Sequence, residues 1–213
     1  MKYNSTVVII GDSISDVKFN RRALNLKAHP AYPKQIKDKL AKKHNAKFVF
    51  SGIASDRIYH IYDRFTKDCF LHKPDYIVML IGVNDAWQIY KKEDYPIEKN
   101  PSVIRTSEPC FKEILRRIKY EMPACQLIAL LPFLIDTIPE KRAFIPYLED
   151  MRNMEVRLLK EFGFNNIIDL QKVFTEASKI YAPKDLALDG VHPTKLGHSI
   201  IADEVIKILT KID

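Results

Sequence analysis

Five positions in this chain have the types and surroundings for acyl-transfer chemistry. Ser13 follows the apolar run VVII in the stretch VVIIGDSISDV, and Asp189 and His192 stand three residues apart in LALDGVHPTKLGH. Gly52 and Asn84 each come close behind another apolar run. A serine hydroxyl is a poor nucleophile until a neighbouring imidazole accepts its proton, and the imidazole needs a partner on its other nitrogen to fix tautomer and orientation. Asp189 is spaced to be that partner for His192, because a separation of three within a turn lets both side chains point the same way. A tetrahedral intermediate then needs preorganised donors. The backbone N–H groups of Ser13 and Gly52 and the side-chain amide of Asn84 are the candidates, and a glycine at 52 leaves no Cβ in the path of an oxyanion.

Taken singly, each residue has a plainer reading. Ser13 could cap a helix, Asn84 with Asp85 could open a helix or turn, Asp189 with Gly190 is a turn pair, and His192 could be an ordinary loop histidine. Trp87 and Tyr90 read as packing residues. What these readings leave unexplained is the joint order and placement. Of only six glycines, Gly11, Gly52 and Gly82 all lie at or just after the end of an apolar run. In open α/β sheets that edge is where ligands bind. The other histidines, His29, His44, His60, His72 and His198, show no metal-ligand spacing, so no metal is expected.

The elements that must hold these residues are legible from hydrophobic pattern. TVVII, KFVF, YIVMLI and QLIALLPF are continuously apolar, with NIIDL a weaker fifth, and continuity rather than alternation is what strands covered on both faces require. Amphipathic helical patterns run from Pro33 to His44, Ile58 to Phe70, Ser102 to Tyr120, Tyr147 to Phe162 and Leu196 to Thr210. Strand and helix alternate, which predicts a three-layer α/β/α sandwich on a five-stranded, mainly parallel sheet, as one domain over 1–213. The polar, proline-punctuated stretches at 91–101 and 135–146 are candidate walls of a substrate cleft.

Composition bounds the rest. Lys and Arg total 34 against 27 Asp and Glu, a net charge of +7, but the lysines are spread at helical spacing and read as solvated faces, so no nucleic-acid partner is expected. Cys69, Cys110 and Cys125 are an odd number without Cys-x-x-Cys spacing, which suits a reducing compartment. The N-terminus lacks the apolar run and cleavage site of a signal peptide, and no stretch has the length of a membrane span, so the expectation is a cytoplasmic protein. With one glycine after the first strand, neither a G-x-G-x-x-G nor a Walker loop is present, and no organic cofactor is expected.

The residues also carry a resemblance. GDSIS, SGIASD, IGVND and DGVHP resemble, in order and spacing over essentially the whole chain, the blocks of the SGNH-hydrolase superfamily of GDSL-type esterases and lipases. That resemblance implies a flavodoxin-like sandwich with Ser13 as nucleophile, Ser13, Gly52 and Asn84 as the oxyanion hole, and Asp189 and His192 completing a triad. The finer pattern is similar to bacterial GDSL-like acylhydrolases related to sugar-polymer acetylesterases. It departs from them at Ser15, where Thr is usual, in the loop after Asp16, and at Asp56, where an amide is usual. The expected activity is hydrolysis of short, acetyl-type esters of a carbohydrate or small metabolite through an acyl-serine. A lysophospholipase or thioesterase on the same fold and a non-catalytic flavodoxin-like binding module are the rivals. Oligomeric state is not legible.

Overall fold

The computed structural model describes residues 1–19, 29–91 and 107–212. Its parallel sheet has five strands among the described residues, in the order β2-β1-β3-β4-β5. They are β1 (Thr6–Gly11), β2 (Lys47–Gly52), β3 (Tyr76–Leu80), β4 (Gln126–Leu131) and β5 (Ile167–Asp169). Every pairing is parallel, with Gly11 registered on Gly52 and on Leu80.

The continuous apolar runs are explained by burial on both faces. Val8 and Ile10 of β1 join Ile77 and Met79 of β3 in one core, whereas Val7 and Ile9 join Tyr76 and Val78 in the other. The first core is closed by α2 (Ile58–Asp68), α4 (Ser107–Glu121) and α5 (Ile145–Glu161), and the second by α1 (Tyr32–His44) and α8 (Lys195–Leu209). Fully burying a side chain such as Ile9 contributes about 1.5–3 kcal/mol, so a polar residue in the middle of either run would be costly.

Helix boundaries differ from expectation where capping decides them. The second helix stops at Asp68 and passes through Cys69 into a 3₁₀ turn, Phe70–His72, so Phe70 lies beyond it. The part of the third pattern at 102–106 lies outside the described residues, as do 92–101 of the first candidate cleft wall. The second candidate wall, 135–146, is partly helical: a 3₁₀ segment at Pro139–Phe144 runs straight into α5. Three helices were not expected as such: α3 (Val83–Lys91), α6 (Leu170–Ala177) and α7 (Pro183–Leu186). Asn84 and Asp85 therefore open a helix. Trp87 and Tyr90 pack with Phe144, their rings 5.2 and 6.1 Å from it, as the packing reading required.

Candidate active site

All five candidate residues stand at the carboxyl edge of the sheet. Ser13 lies two residues beyond the end of β1 in a turn in which Asp12 Oδ1 accepts from the Ile14 N–H at 2.9 Å and the Ser15 N–H donates to the Asp12 carbonyl at 3.1 Å. Ser13 thus sits in a tight turn, and the helix-cap reading fails. The turn is anchored from below by Ser15, whose Oγ lies 2.7 Å from the Tyr32 hydroxyl of α1. Tyr32 in turn donates its N–H to His198 Nδ1 of α8 at 3.2 Å.

His192 comes from the loop before α8, a helix capped by Thr194, whose Oγ1 accepts from the Gly197 N–H at 3.2 Å. Its Nε2 is 3.0 Å from Ser13 Oγ, across 179 residues of sequence. On the other side its Nδ1 is 2.7 Å from Asp189 Oδ2. Asp189 Oδ1 accepts from the His192 N–H at 2.7 Å and the Val191 N–H at 3.0 Å, so one carboxylate shapes the loop with one oxygen and orients the ring with the other. Partial burial pushes this carboxyl up, but the hydrogen bonds from His192 and Val191 and the imidazole charge outweigh it, and the group is held down at about 2. It is a carboxylate at neutral pH. The Nδ1 proton therefore belongs on the aspartate side, which leaves the Nε2 lone pair for the serine proton.

Gly52 ends β2 beside Gly11, and the two positions are paired in register. A Cβ at Gly52 would lie 2.3 Å from the backbone carbon of Ser15, so only glycine lets the nucleophile turn close over this strand end. Asn84 sits in the first turn of α3, just past Gly82. There φ is +105°, and a Cβ would lie 2.3 Å from Glu155 Oε1. The amide Nδ2 of Asn84 donates one proton to the Asp56 carbonyl at 2.9 Å, and its second proton is available to a ligand. All five residues are thus on one edge, with serine, imidazole and carboxylate in a continuous hydrogen-bonded line.

Several supporting residues were not singled out in advance. The Phe19 ring stacks on His192 with centroids 5.1 Å apart and planes 18° apart. Lys141, from the 3₁₀ segment, donates Nζ to the Asp189 carbonyl at 2.5 Å. Asp12 is fully buried, and desolvation lifts its carboxyl to about 7 against the opposing pull of the Ile14 N–H and His192. Asp85, also buried, receives the Ile58 N–H at 3.1 Å and the Ser107 hydroxyl at 2.7 Å, yet burial still raises it to about 6. Glu155, buried beneath Gly82, is pushed well above the usual carboxylate range by desolvation first and then by Asp85. Among the described residues no group of three or more His, Cys, Asp or Glu side chains is arranged to hold a metal ion.

With the sheet order, the serine turn and the imidazole relay in place, the class is a serine hydrolase on a parallel α/β sandwich. The chain belongs to the GDSL-like Lipase/Acylhydrolase family, whose model matches residues 9–200. It is 28% identical over 208 residues to an acetylxylan esterase of Geobacillus stearothermophilus, covering 92% of this chain and 90% of that protein. A crystal structure of a GDSL-like lipase from Parabacteroides merdae superposes with a TM-score of 0.81 at 24% identity, covering 97% of this chain and 96% of that one. The structure of the Geobacillus acetylxylan esterase superposes with a TM-score of 0.74 at 23% identity, covering 97% and 94%. At that identity the superpositions establish the fold, and family membership makes the chain a carboxylic ester hydrolase. No helix among the described residues is long and apolar enough to cross a membrane.

Proposed function

We propose that this chain is a serine esterase that removes short acyl groups, acetyl above all, from a carbohydrate or small hydroxylated metabolite. The observation that carries the reading is the unbroken line Asp189 Oδ2, His192 Nδ1, His192 Nε2, Ser13 Oγ, with links of 2.7 and 3.0 Å. In the proposed sequence Ser13 Oγ attacks the ester carbonyl carbon while Nε2 takes its proton. The carbonyl oxygen, now an alkoxide, is met by the N–H groups of Ser13 and Gly52 and by the free proton of the Asn84 amide. His192 Nε2–H then protonates the departing alcohol, leaving an acyl-serine. Water, deprotonated by the same Nε2, hydrolyses it and returns the proton to Ser13.

Support for a short acyl group and a hydroxylated alcohol comes from two directions. The curated relative is an acetylxylan esterase. Beside Gly52 a cleft of about 350 Å³ is lined by the polar side chains of Asp16, Lys18, Ser51, Asp68 and His72 together with Val17, Val49, Phe50 and Ile53. Its charged and hydroxyl side chains can hydrogen-bond the hydroxyls of a carbohydrate alcohol.

The test is a chain-length and alcohol profile. Acetylated xylo-oligosaccharides and 4-nitrophenyl acetate should be hydrolysed with kcat/KM at least tenfold above 4-nitrophenyl octanoate and a lysophosphatidylcholine. A reversed order would make a lysophospholipase the better description. We place the protein in the cytoplasm, on the buried cysteines Cys69, Cys110 and Cys125, none of which is in a disulfide, and fractionation of the native cells would test this.

A further inference from the structure

We propose that Arg64 is a positioning residue for the oxyanion hole, a single guanidinium that fixes the backbone next to each of its three donors. The inference rests on the esterase reading above and adds to it a residue that touches neither the substrate nor the triad. Arg64 lies in the middle of α2, with only 14% of its side chain exposed. Its Nη2 donates to the Gly11 carbonyl at 3.2 Å, at the end of β1 and two residues before Ser13. The same nitrogen donates to the Ser51 carbonyl at 2.8 Å, one residue before Gly52. Its Nε donates to Asp56 Oδ2 at 2.8 Å, and the carbonyl of that Asp56 receives the Asn84 amide at 2.9 Å. Nη1 completes the set with Asp68 Oδ2 at 2.9 Å and the hydroxyl of Ser51.

The chemistry of the group explains why an arginine stands here. A guanidinium is a planar fork of five N–H donors, and it can serve carbonyls at two strand ends and carboxylates on either side at once. An ammonium on a flexible stem cannot hold that pattern. The charge is matched by Asp56 and Asp68 at salt-bridge distance, with His60 Nδ1 a further 3.8 Å from Asp56 Oδ1. The Gly11 carbonyl already accepts the Ile53 N–H at 3.0 Å, and Arg64 adds a second donor there while also reaching the Ser51 carbonyl, so that one side chain ties the end of β1 to the end of β2 and sets the spacing between the serine turn and Gly52. Through Asp56 it also sets the direction of the Asn84 amide. Oxyanion donors are worth most when they need no reorganisation during reaction, so a loosened frame should lower turnover and leave substrate binding nearly intact.

The experiment is a double-mutant cycle between Arg64→Lys and Asn84→Ala, read in kcat and KM for 4-nitrophenyl acetate and in the rate of fluorophosphonate labelling of Ser13. Arg64→Lys should lower kcat and the labelling rate by about tenfold with KM within about twofold, a loss on the scale of a weakened oxyanion donor. In the Asn84→Ala background the same change should cost about threefold or less, because the two substitutions damage one device. If Arg64→Lys does not fold, as judged by circular dichroism, Asp56→Asn replaces it in the cycle with the same expected coupling. Independent, multiplying losses, an unchanged kcat, or a loss confined to KM would overturn the role given to Arg64. A wild-type protein that neither turns over nor labels would instead overturn the esterase reading, and this inference with it.

Discussion

Replacing Asp189 by Asn tests the electrostatic logic of the relay with almost no change of shape. The carboxylate receives three hydrogen bonds, from His192 Nδ1, the His192 N–H and the Val191 N–H, at 2.7, 2.7 and 3.0 Å. Its carboxyl is lowered from 3.8 to about 2. At about 1.4 kcal/mol per pH unit, that difference means the surroundings favour the charged form by about 2–3 kcal/mol. An amide can still accept the two backbone N–H groups with its oxygen, so the loop should keep its course. Its NH₂ would then face Nδ1 and make that nitrogen the acceptor, which moves the ring proton to Nε2, where it points at Ser13 instead of receiving from it. In triad enzymes that tautomer error costs about 10⁴ in kcat, and a loss of 10³–10⁴ is expected here. Steady-state hydrolysis of 4-nitrophenyl acetate measures it, with thermal unfolding at pH 7 as the control for folding. A kcat within tenfold of wild type, on a protein that melts normally, would refute the proposed role of Asp189.

Three further outcomes follow from the same geometry. Asn84→Ala should lower kcat by about 10²–10³ with little change in KM, since it removes a donor used only once charge has built up on the carbonyl oxygen. Gly82→Ala should destabilise the fold by more than the 1–2 kcal/mol typical of a left-handed backbone, because φ is +105° and the new Cβ would meet buried Glu155 Oε1 at 2.3 Å; urea unfolding measures this. The third concerns Asp12, whose folded carboxyl lies at about 7 against 3.8 in the unfolded chain. The native state therefore keeps a proton that the unfolded chain releases, and this group's contribution is fully present below pH 4 and lost as pH rises to about 7. Asp12→Asn retains the acceptor for the Ile14 N–H and abolishes the titration. Its stability relative to wild type should climb between pH 4.5 and 7.5, by up to about 4 kcal/mol from a shift of about 3 units. A constant difference over that range would show that Asp12 is not held neutral by burial.

How much of this was legible in the sequence follows from how local each signal is. The strands were readable because helices cover both sheet faces, so that Val7 to Ile10 are apolar without interruption. Ser13, Gly52 and Asn84 were readable because each stands at or just beyond a strand end, where a glycine or a change to polar residues marks the sequence, and Asp189 and His192 because their spacing of three in a loop before the last helix suits an imidazole and its carboxylate. The helix α3 was legible only as one of two readings of Asn84 and Asp85, helix or turn, because it begins directly after Gly82, with no loop to announce it, and has only nine residues. The run NIIDL read as one strand, but Asp169 accepts the Lys172 N–H at 3.1 Å and turns the chain into α6 after three residues of β5. The supporting contacts were invisible for a different reason. Lys141 binds the carbonyl of Asp189, and Arg64 the carbonyls of Gly11 and Ser51, and a backbone acceptor leaves no mark on residue type. Asp56, a charge where the resemblance to GDSL-type esterases implies an amide, is explained only once Arg64 is placed 2.8 Å away.

The central claim is that the hydroxyl of residue 13 becomes covalently acylated. It is tested most directly by incubating wild type and Ser13→Ala with a fluorophosphonate, digesting both and locating the adduct by mass spectrometry. The account predicts one stoichiometric adduct on Ser13 and none on the variant. Equal labelling of both proteins, or an adduct on another residue, would contradict it.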